Sequence, residues 1–96
     1  MLARVTTFEG GSAEGIRAAS EQMRGNVGQG PPEGVKSVGL TMLAAPDAGR
    51  VLIIGLFESE QDMRDSEPAL RGMTPPEGIG SRASVEVYEV AAEARM

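Results

Sequence analysis

The chain has 96 residues and a net charge of −5, and it contains neither cysteine nor histidine. This acidic balance argues against nucleic acid or an anionic membrane surface as a partner. Without cysteine there is no disulfide framework or thiolate site, and without histidine the commonest general base and metal ligand is missing. We therefore expect no metal and no cofactor.

The length predicts a single domain over residues 1–96, with a core in residues 2–90 and a polar tail in residues 91–96. Leu, Ile, Val and Phe total 20 of the 96 residues, barely above the ~20% below which chains tend to disorder. Because such a core is small, we expect a partner subunit to cover one face of the protein. No apolar run approaches the roughly 20 residues of a membrane span and no signal peptide opens the chain, which predicts a cytoplasmic protein.

One pattern occurs twice along the chain. The first copy contains Phe8-Glu9, Ser12, Met23-Arg24-Gly25 and Pro31-Pro32-Glu33-Gly34-Val35, and the second contains Phe57-Glu58, Ser59, Leu70-Arg71-Gly72 and Pro75-Pro76-Glu77-Gly78-Ile79. Each copy predicts a strand, a helix, a Pro-Pro-Glu-Gly turn and a second strand, so that two copies make one βαββαβ domain. The repeated turn indicates either scaffold symmetry or a duplicated binding loop.

The first predicted elements are a strand over residues 2–8 and a helix that begins after Ser12. The strand alternates around β-branched residues, and Gly10-Gly11 ends it. Ser12 is a suitable N-cap, with Glu14 in the first turn. The apolar stripe of the helix consists of Ile16, Ala19, Met23 and Val27.

A hairpin follows, with strands over residues 35–44 and 50–57 and a loop over residues 45–49. Pro46-Asp47 and Gly49 supply the turn chemistry of the loop. The second of these strands is the most continuously apolar run of the chain, which is typical of a central strand covered on both faces.

The second helix is predicted to begin after Ser59, which forms a cap with Asp62. Pro68 predicts a break near Ser66-Glu67, followed by a short helical piece up to Gly72. The last strand is expected over residues 82–90.

Three segments resemble the dimeric α+β barrel superfamily, in particular its antibiotic-biosynthesis-monooxygenase-like branch. They are Gly11-Ser12-Ala13-Glu14, Phe57-Glu58-Ser59-Glu60 and Ser66-Glu67-Pro68. The resemblance implies a ferredoxin-like α+β fold, with an antiparallel four-stranded sheet of order 4-1-3-2 and a homodimer that closes a barrel. The branch includes cofactor-free quinone-forming oxygenases and heme-degrading enzymes.

Few functional residues of those relatives have a counterpart in this chain. Heme-degrading relatives use an Asn, a Trp and an iron-ligating His, whose positions fall on Arg4, near Ser66, and near Gly72 or Met73. Heme degradation is therefore not expected. Cofactor-free oxygenases stabilise a substrate phenolate with Asn, Trp, Arg and Tyr. Here the residues that could stand in for them are Arg4, Asn26 and Tyr88.

The candidate ligand-binding residues are Arg4, Thr6, Asn26, Glu86 and Tyr88, while the catalytic residues are unknown. Alternation places Arg4 and Thr6 on one face of the first strand, next to the last strand in the expected sheet. A charged side chain in an apolar strand requires a partner, and we expect Glu86 or Tyr88. This group is either a polar pocket for an anionic or phenolic ligand, or a structural ion pair at a sheet edge or subunit boundary.

Three functions from different classes fit these observations. The first is a homodimer that binds a small organic ligand in a pocket beside the sheet. The second is a cofactor-free monooxygenase acting on a phenolic or polyketide-like substrate. The third is a non-catalytic structural or regulatory dimer.

Overall fold

The structure, a computed structural model, describes residues 1–26, 30, 33–73 and 77–94. Its elements are β1 (Leu2–Gly10), α1 (Ala13–Asn26), β2 (Gly39–Ala45), β3 (Arg50–Phe57), α2 (Glu60–Arg71) and β4 (Gly80–Glu89). The four strands form one antiparallel sheet in the order β2-β3-β1-β4. This arrangement is the ferredoxin-like α+β fold, which confirms the predicted fold class and strand order. Neither helix is long and apolar enough to cross a membrane.

The strand bounds lie within two residues of the prediction except at the start of β2. β3 spans the predicted residues, whereas β2 begins at Gly39 rather than at Val35. The reason is that the chain at Val35 and Lys36 contacts α2, and pairing with β3 begins only at Val38, whose amide donates to the Leu56 carbonyl at 2.7 Å. The amide of Lys36 donates a hydrogen bond of 2.8 Å to Ser66 Oγ, and the Val35 side chain is buried with Phe57 and Met63.

Both helices begin as the sequence predicts. Ser12 Oγ accepts a hydrogen bond from the Gly15 amide at 3.0 Å, and Ser59 Oγ accepts one from the Asp62 amide at 3.1 Å. Each serine thereby satisfies one of the amides that the first helical turn leaves unpaired.

The predicted break of the second helix is wrong, because α2 runs without interruption from Glu60 to Arg71 with Pro68 inside it. Proline removes one helical donor and crowds the preceding turn. Pro68 and Arg64, four residues earlier, are both exposed, so water can hydrate the carbonyl that loses its donor. Buried Met63 and Ser66 hold the neighbouring turns against the sheet.

The two helices cover one face of the sheet and form two separate apolar clusters there. The α1 cluster consists of Phe8, Ile16, Ala19, Val51 and Ile79, with Met42 and Ile53 packed against it. The α2 cluster consists of Val35, Phe57 and Met63, with Leu2, Ala69 and Leu70 packed against it. Of the predicted stripe on α1, Ile16 and Ala19 are buried and Met23 is half-buried, while Val27 lies outside the described residues.

The repeated turns pack crosswise, since the turn after each helix contacts the other helix. Gly34 has a φ of +83° and lies against Ala69 of α2, whereas Gly78 has a φ of +88° and lies against Gly15 of α1. The apolar residue after each glycine also packs under the other helix. Val35 belongs to the α2 cluster, and Ile79 belongs to the α1 cluster. These contacts give the glycines a packing role, whereas the Pro-Pro pairs of both turns lie outside the described residues.

This crossing packing predicts opposite effects for two glycine-to-alanine changes within α1. A Cβ at Gly15 would lie 2.6 Å from the Gly78 Cα, so Gly15→Ala should destabilise the fold by about 1–3 kcal/mol through overpacking. A Cβ at Gly25 meets no described atom within 4 Å, so Gly25→Ala should stabilise the helix by about 0.5–1 kcal/mol. Urea unfolding at one protein concentration measures both, and a stabilising Gly15→Ala would contradict the packing.

Candidate functional site

The structure divides the predicted site residues among three places. Arg4 and Thr6 lie together on the face of the sheet that carries the helices. Glu86 and Tyr88 lie together on the opposite face, which we call the open face, and Asn26 is the exposed last residue of α1. The predicted residues therefore do not form one pocket.

Arg4 is the centre of a polar cluster between the two apolar clusters. Its Nε donates to Glu67 Oε1 at 2.7 Å and its Nη1 donates to Thr6 Oγ1 at 3.1 Å. Glu67 also accepts from Arg71 Nε, through its other oxygen, at 3.3 Å. Arg4 is only 8% exposed, so its charge is taken out of water and compensated by a carboxylate on α2.

The prediction that Glu86 or Tyr88 pairs with Arg4 is wrong. Arg4 lies directly opposite Val87, whereas Glu86 lies opposite Val5 and Tyr88 opposite Ala3. Because directly opposed residues share a face and neighbours along a strand alternate, an offset of one residue moves both side chains to the open face. The partner of Arg4 comes from a helix instead of a strand.

Glu67 is held in its ionised form by the two arginines. Partial burial of the carboxyl opposes ionisation, but the hydrogen bonds and charges of Arg4 and Arg71 outweigh that effect and hold the pKa of Glu67 below its ordinary value of 4.5. Arg4 is thereby engaged in an ion pair between an inner strand and α2, whereas the structural alternative predicted from the sequence places such a pair at a sheet edge or subunit boundary. Its role as a ligand-binding residue stays a prediction.

Glu86 and Tyr88 form a second polar pair, on the open face of β4. The Tyr88 hydroxyl donates to a carboxylate oxygen of Glu86. This hydrogen bond and the negative charge of Glu86 raise the pKa of the Tyr88 phenol. The phenol therefore stays protonated at neutral pH and acts as a donor.

A cleft of about 430 Å³ lies between α1 and the edge strand β2. It is lined by Ser20, Met23, Arg24, Met42 and Ala44. Met42 and Ala44 pair with Ile53 and Val51 of β3 and so belong to the helix side of the sheet. The volume falls within the range of about 300–1,000 Å³ that is usual for small-molecule sites.

Sequence reasoning missed Glu67 and most of the cleft. Glu67 could have been identified as a candidate because a buried arginine needs a carboxylate and because Glu67 is followed by Arg71 one turn later. Met23 and Met42 lie on different elements, and their juxtaposition depends on how α1 crosses the sheet. In the sequence, Met23 belongs to the predicted apolar stripe of the first helix, and Met42 lies in the predicted second strand.

The positions that carry metal or heme chemistry in the resembling enzymes hold other side chains here. Ser66 is fully buried, where it accepts from Lys36 and donates to the carbonyl of Asp62 at 2.8 Å. Gly72 and Met73 are exposed at the end of α2. Within the described ranges, no three acidic, histidine or cysteine side chains are grouped as metal ligands.

Comparison with known proteins identifies no family for this chain. The chain matches no protein-family model, and no curated protein shows significant sequence similarity to it.

The two partners in the Arg4–Glu67 pair should differ in their contribution to stability. Glu67→Met leaves the buried Arg4 guanidinium without a counter-charge and should lower the free energy of unfolding by about 2–4 kcal/mol. Arg4→Met leaves the Glu67 carboxylate paired with Arg71 and hydrated by water, and should lower it by about 1–2 kcal/mol. The double variant should cost less than the sum of the single variants. Arg71→Met, at an exposed position, serves as a control and should change stability by about 0.5 kcal/mol or less. Additive effects in denaturant unfolding would contradict a direct interaction.

The same pair predicts an acid-dependent loss of stability. Because the pKa of Glu67 is lower in the folded than in the unfolded chain, its ionisation stabilises the fold fully above about pH 4.5. This contribution should disappear as the pH falls through the lowered folded-state pKa. The difference in unfolding free energy between the wild type and Glu67→Gln should therefore be constant near neutral pH and shrink in acid. A difference that grows on acidification would contradict the ion pair.

Proposed function

We propose that the protein is a homodimer that binds a small organic ligand in the cleft between α1 and β2. The observation that carries the proposal is that the cleft and the open face lie on opposite sides of the sheet. A second subunit can cover the open face while the cleft stays accessible from solvent.

The composition of the open face supports dimer formation. It consists of alternate residues of all four strands. Its apolar residues are Ala3, Val5, Leu43, Leu52, Ile54, Leu56 and Tyr88, and the polar residues Thr7, Thr41, Ser84 and Glu86 lie among them. Both described helices pack on the other face. A group of apolar side chains of this kind is typical of an interface.

The accessible surface area of the single chain is larger than that of a compact monomer, as expected if a partner subunit normally covers part of it. It is 6427 Å², whereas a compact monomer of this mass exposes roughly 5,200 Å². The excess of roughly 1,200 Å² is close to the area that one subunit buries in a stable or obligate interface. Exposed Leu43 and Tyr88 contribute to this area on the open face, and exposed Leu40, Val85 and Val87 contribute on the helix side.

Two features support ligand binding without catalysis. The charge of Arg4 is compensated within the chain by Glu67, and the Tyr88 phenol, whose pKa is raised, lies on the opposite face of the sheet. An oxygenase of the phenolate-stabilising type needs such groups to converge on one substrate. The cleft, in contrast, combines the apolar side chains of Met23, Met42 and Ala44 with the polar groups of Ser20 and Arg24, and such a mixture can hold and orient a small molecule.

Two leucines of β2 allow a matched test of the dimer. Leu43 lies on the open face and Leu40 on the helix side, and they are 48% and 51% exposed. Leu43→Asp should place a charge within the interface and convert the dimer to a monomer, whereas Leu40→Asp should leave the dimer intact. Native mass spectrometry and light scattering measure the mass. A wild-type protein that is monomeric at micromolar concentration would refute the dimer.

The ligand is tested by native mass spectrometry of protein purified from its own host. A small molecule retained at one copy per subunit is expected for the wild type and for Leu40→Asp. Replacing Ala44 with Phe fills the cleft and should abolish retention, while Ala18→Phe on the exposed side of α1 should not. Retention that survives Ala44→Phe would contradict the proposed location.

A further inference from the structure

Among the described residues that line the cleft, the charged group is a cation. Met23, Met42 and Ala44 form apolar walls, while Ser20 and Arg24 add polar groups on the side of α1. The Ser20 hydroxyl donates its hydrogen to the Ile16 carbonyl at 2.8 Å, so it offers a ligand an acceptor. The positive charge that a ligand meets in the described lining therefore comes from Arg24.

Among the described residues, Arg24 has one ion-pair partner, and that partner binds it weakly. It forms an ion pair with Glu21 of the same helix, and the two side chains are 74% and 73% exposed. Ion pairs between such exposed groups contribute little, because water and salt screen them and the side chains lose freedom. An anion held in place by the adjacent apolar walls can thus replace Glu21, whose carboxylate returns to water. Arg4 differs, since it is buried against its carboxylate.

We propose that the cleft selects amphipathic organic anions, with the apolar body between Met23 and Met42 and the anionic group on Arg24. This inference rests on the proposed function, because it names the ligand class of the same cleft. The polarisable methionine side chains adapt to aromatic or irregular apolar bodies. The guanidinium matches the two oxygens of a carboxylate, or two of those of a sulfonate.

The test uses two fluorescent probes that differ by one anionic group. Anilinonaphthalene sulfonate carries a sulfonate, and N-phenylnaphthylamine has the same aromatic body without it. Both are titrated into the intact protein, and Ala44→Phe should abolish the binding of both. Arg24→Gln should weaken the binding of the sulfonate probe about three- to tenfold, which is the range expected between an exposed and a half-buried ion pair. The affinity for the neutral probe should not change.

Matched variants on α2 control for changes in net charge. Arg64 pairs with Glu60 as Arg24 pairs with Glu21, at similar exposure, so Arg64→Gln should not affect either probe. Glu21→Gln removes the competing carboxylate and should strengthen sulfonate binding about two- to threefold, whereas Glu60→Gln should not.

Two outcomes overturn the inference at different levels. If Ala44→Phe abolishes binding of both probes but Arg24→Gln behaves as Arg64→Gln does, the cleft is a binding site and its preference for anions is refuted. If neither probe binds, or if Ala44→Phe has no effect on binding, the cleft is not the site and the proposed function fails with the inference.

Discussion

A charge buried on the helix side of the sheet determines how the rest of this small core is arranged. Arg4 occupies a central position of β1, where an unpaired guanidinium would be costly. Its carboxylate partner is Glu67 of α2, which packs on that face. The ion pair therefore ties α2 to β1, and the apolar side chains divide into one cluster under each helix.

The order of elements could be predicted from local patterns, whereas the sheet order was what the sequence resemblance implied. Strand alternation, the serines that cap both helices and the duplicated Pro-Pro-Glu-Gly turn all indicate one βαββαβ domain. The predicted partners of Arg4 failed because alternation assigns a face only within one strand. The relative register of β1 and β4 includes an irregularity between Thr7 and Phe8, and an error of one residue exchanges the faces. A partner that lies on a helix, such as Glu67, is brought to Arg4 by tertiary packing, which sequence periodicity does not reveal.

The two faces of the sheet have separate roles in the proposed account. The open face, with its apolar side chains, is the proposed subunit interface. The helix side contains the ion pair, which is internal, and the cleft next to β2, which is open. Arg4 and Arg24 illustrate the difference, since one is buried with a geometrically defined partner and the other is exposed with a weak one. A buried, compensated charge stabilises a fold, whereas an exposed charge beside apolar walls is available to a ligand.

The most direct test of the central role of the ion pair is NMR of the arginine side-chain Nε–H groups. The Nε–H of Arg4 donates to Glu67 at 2.7 Å within the core, so its signal should be visible at neutral pH and exchange with water far more slowly than that of exposed Arg64. Glu67→Gln should shift this signal and accelerate its exchange. An Arg4 Nε–H that exchanges as fast as that of Arg64, and that does not respond to Glu67→Gln, would contradict the central role of the ion pair.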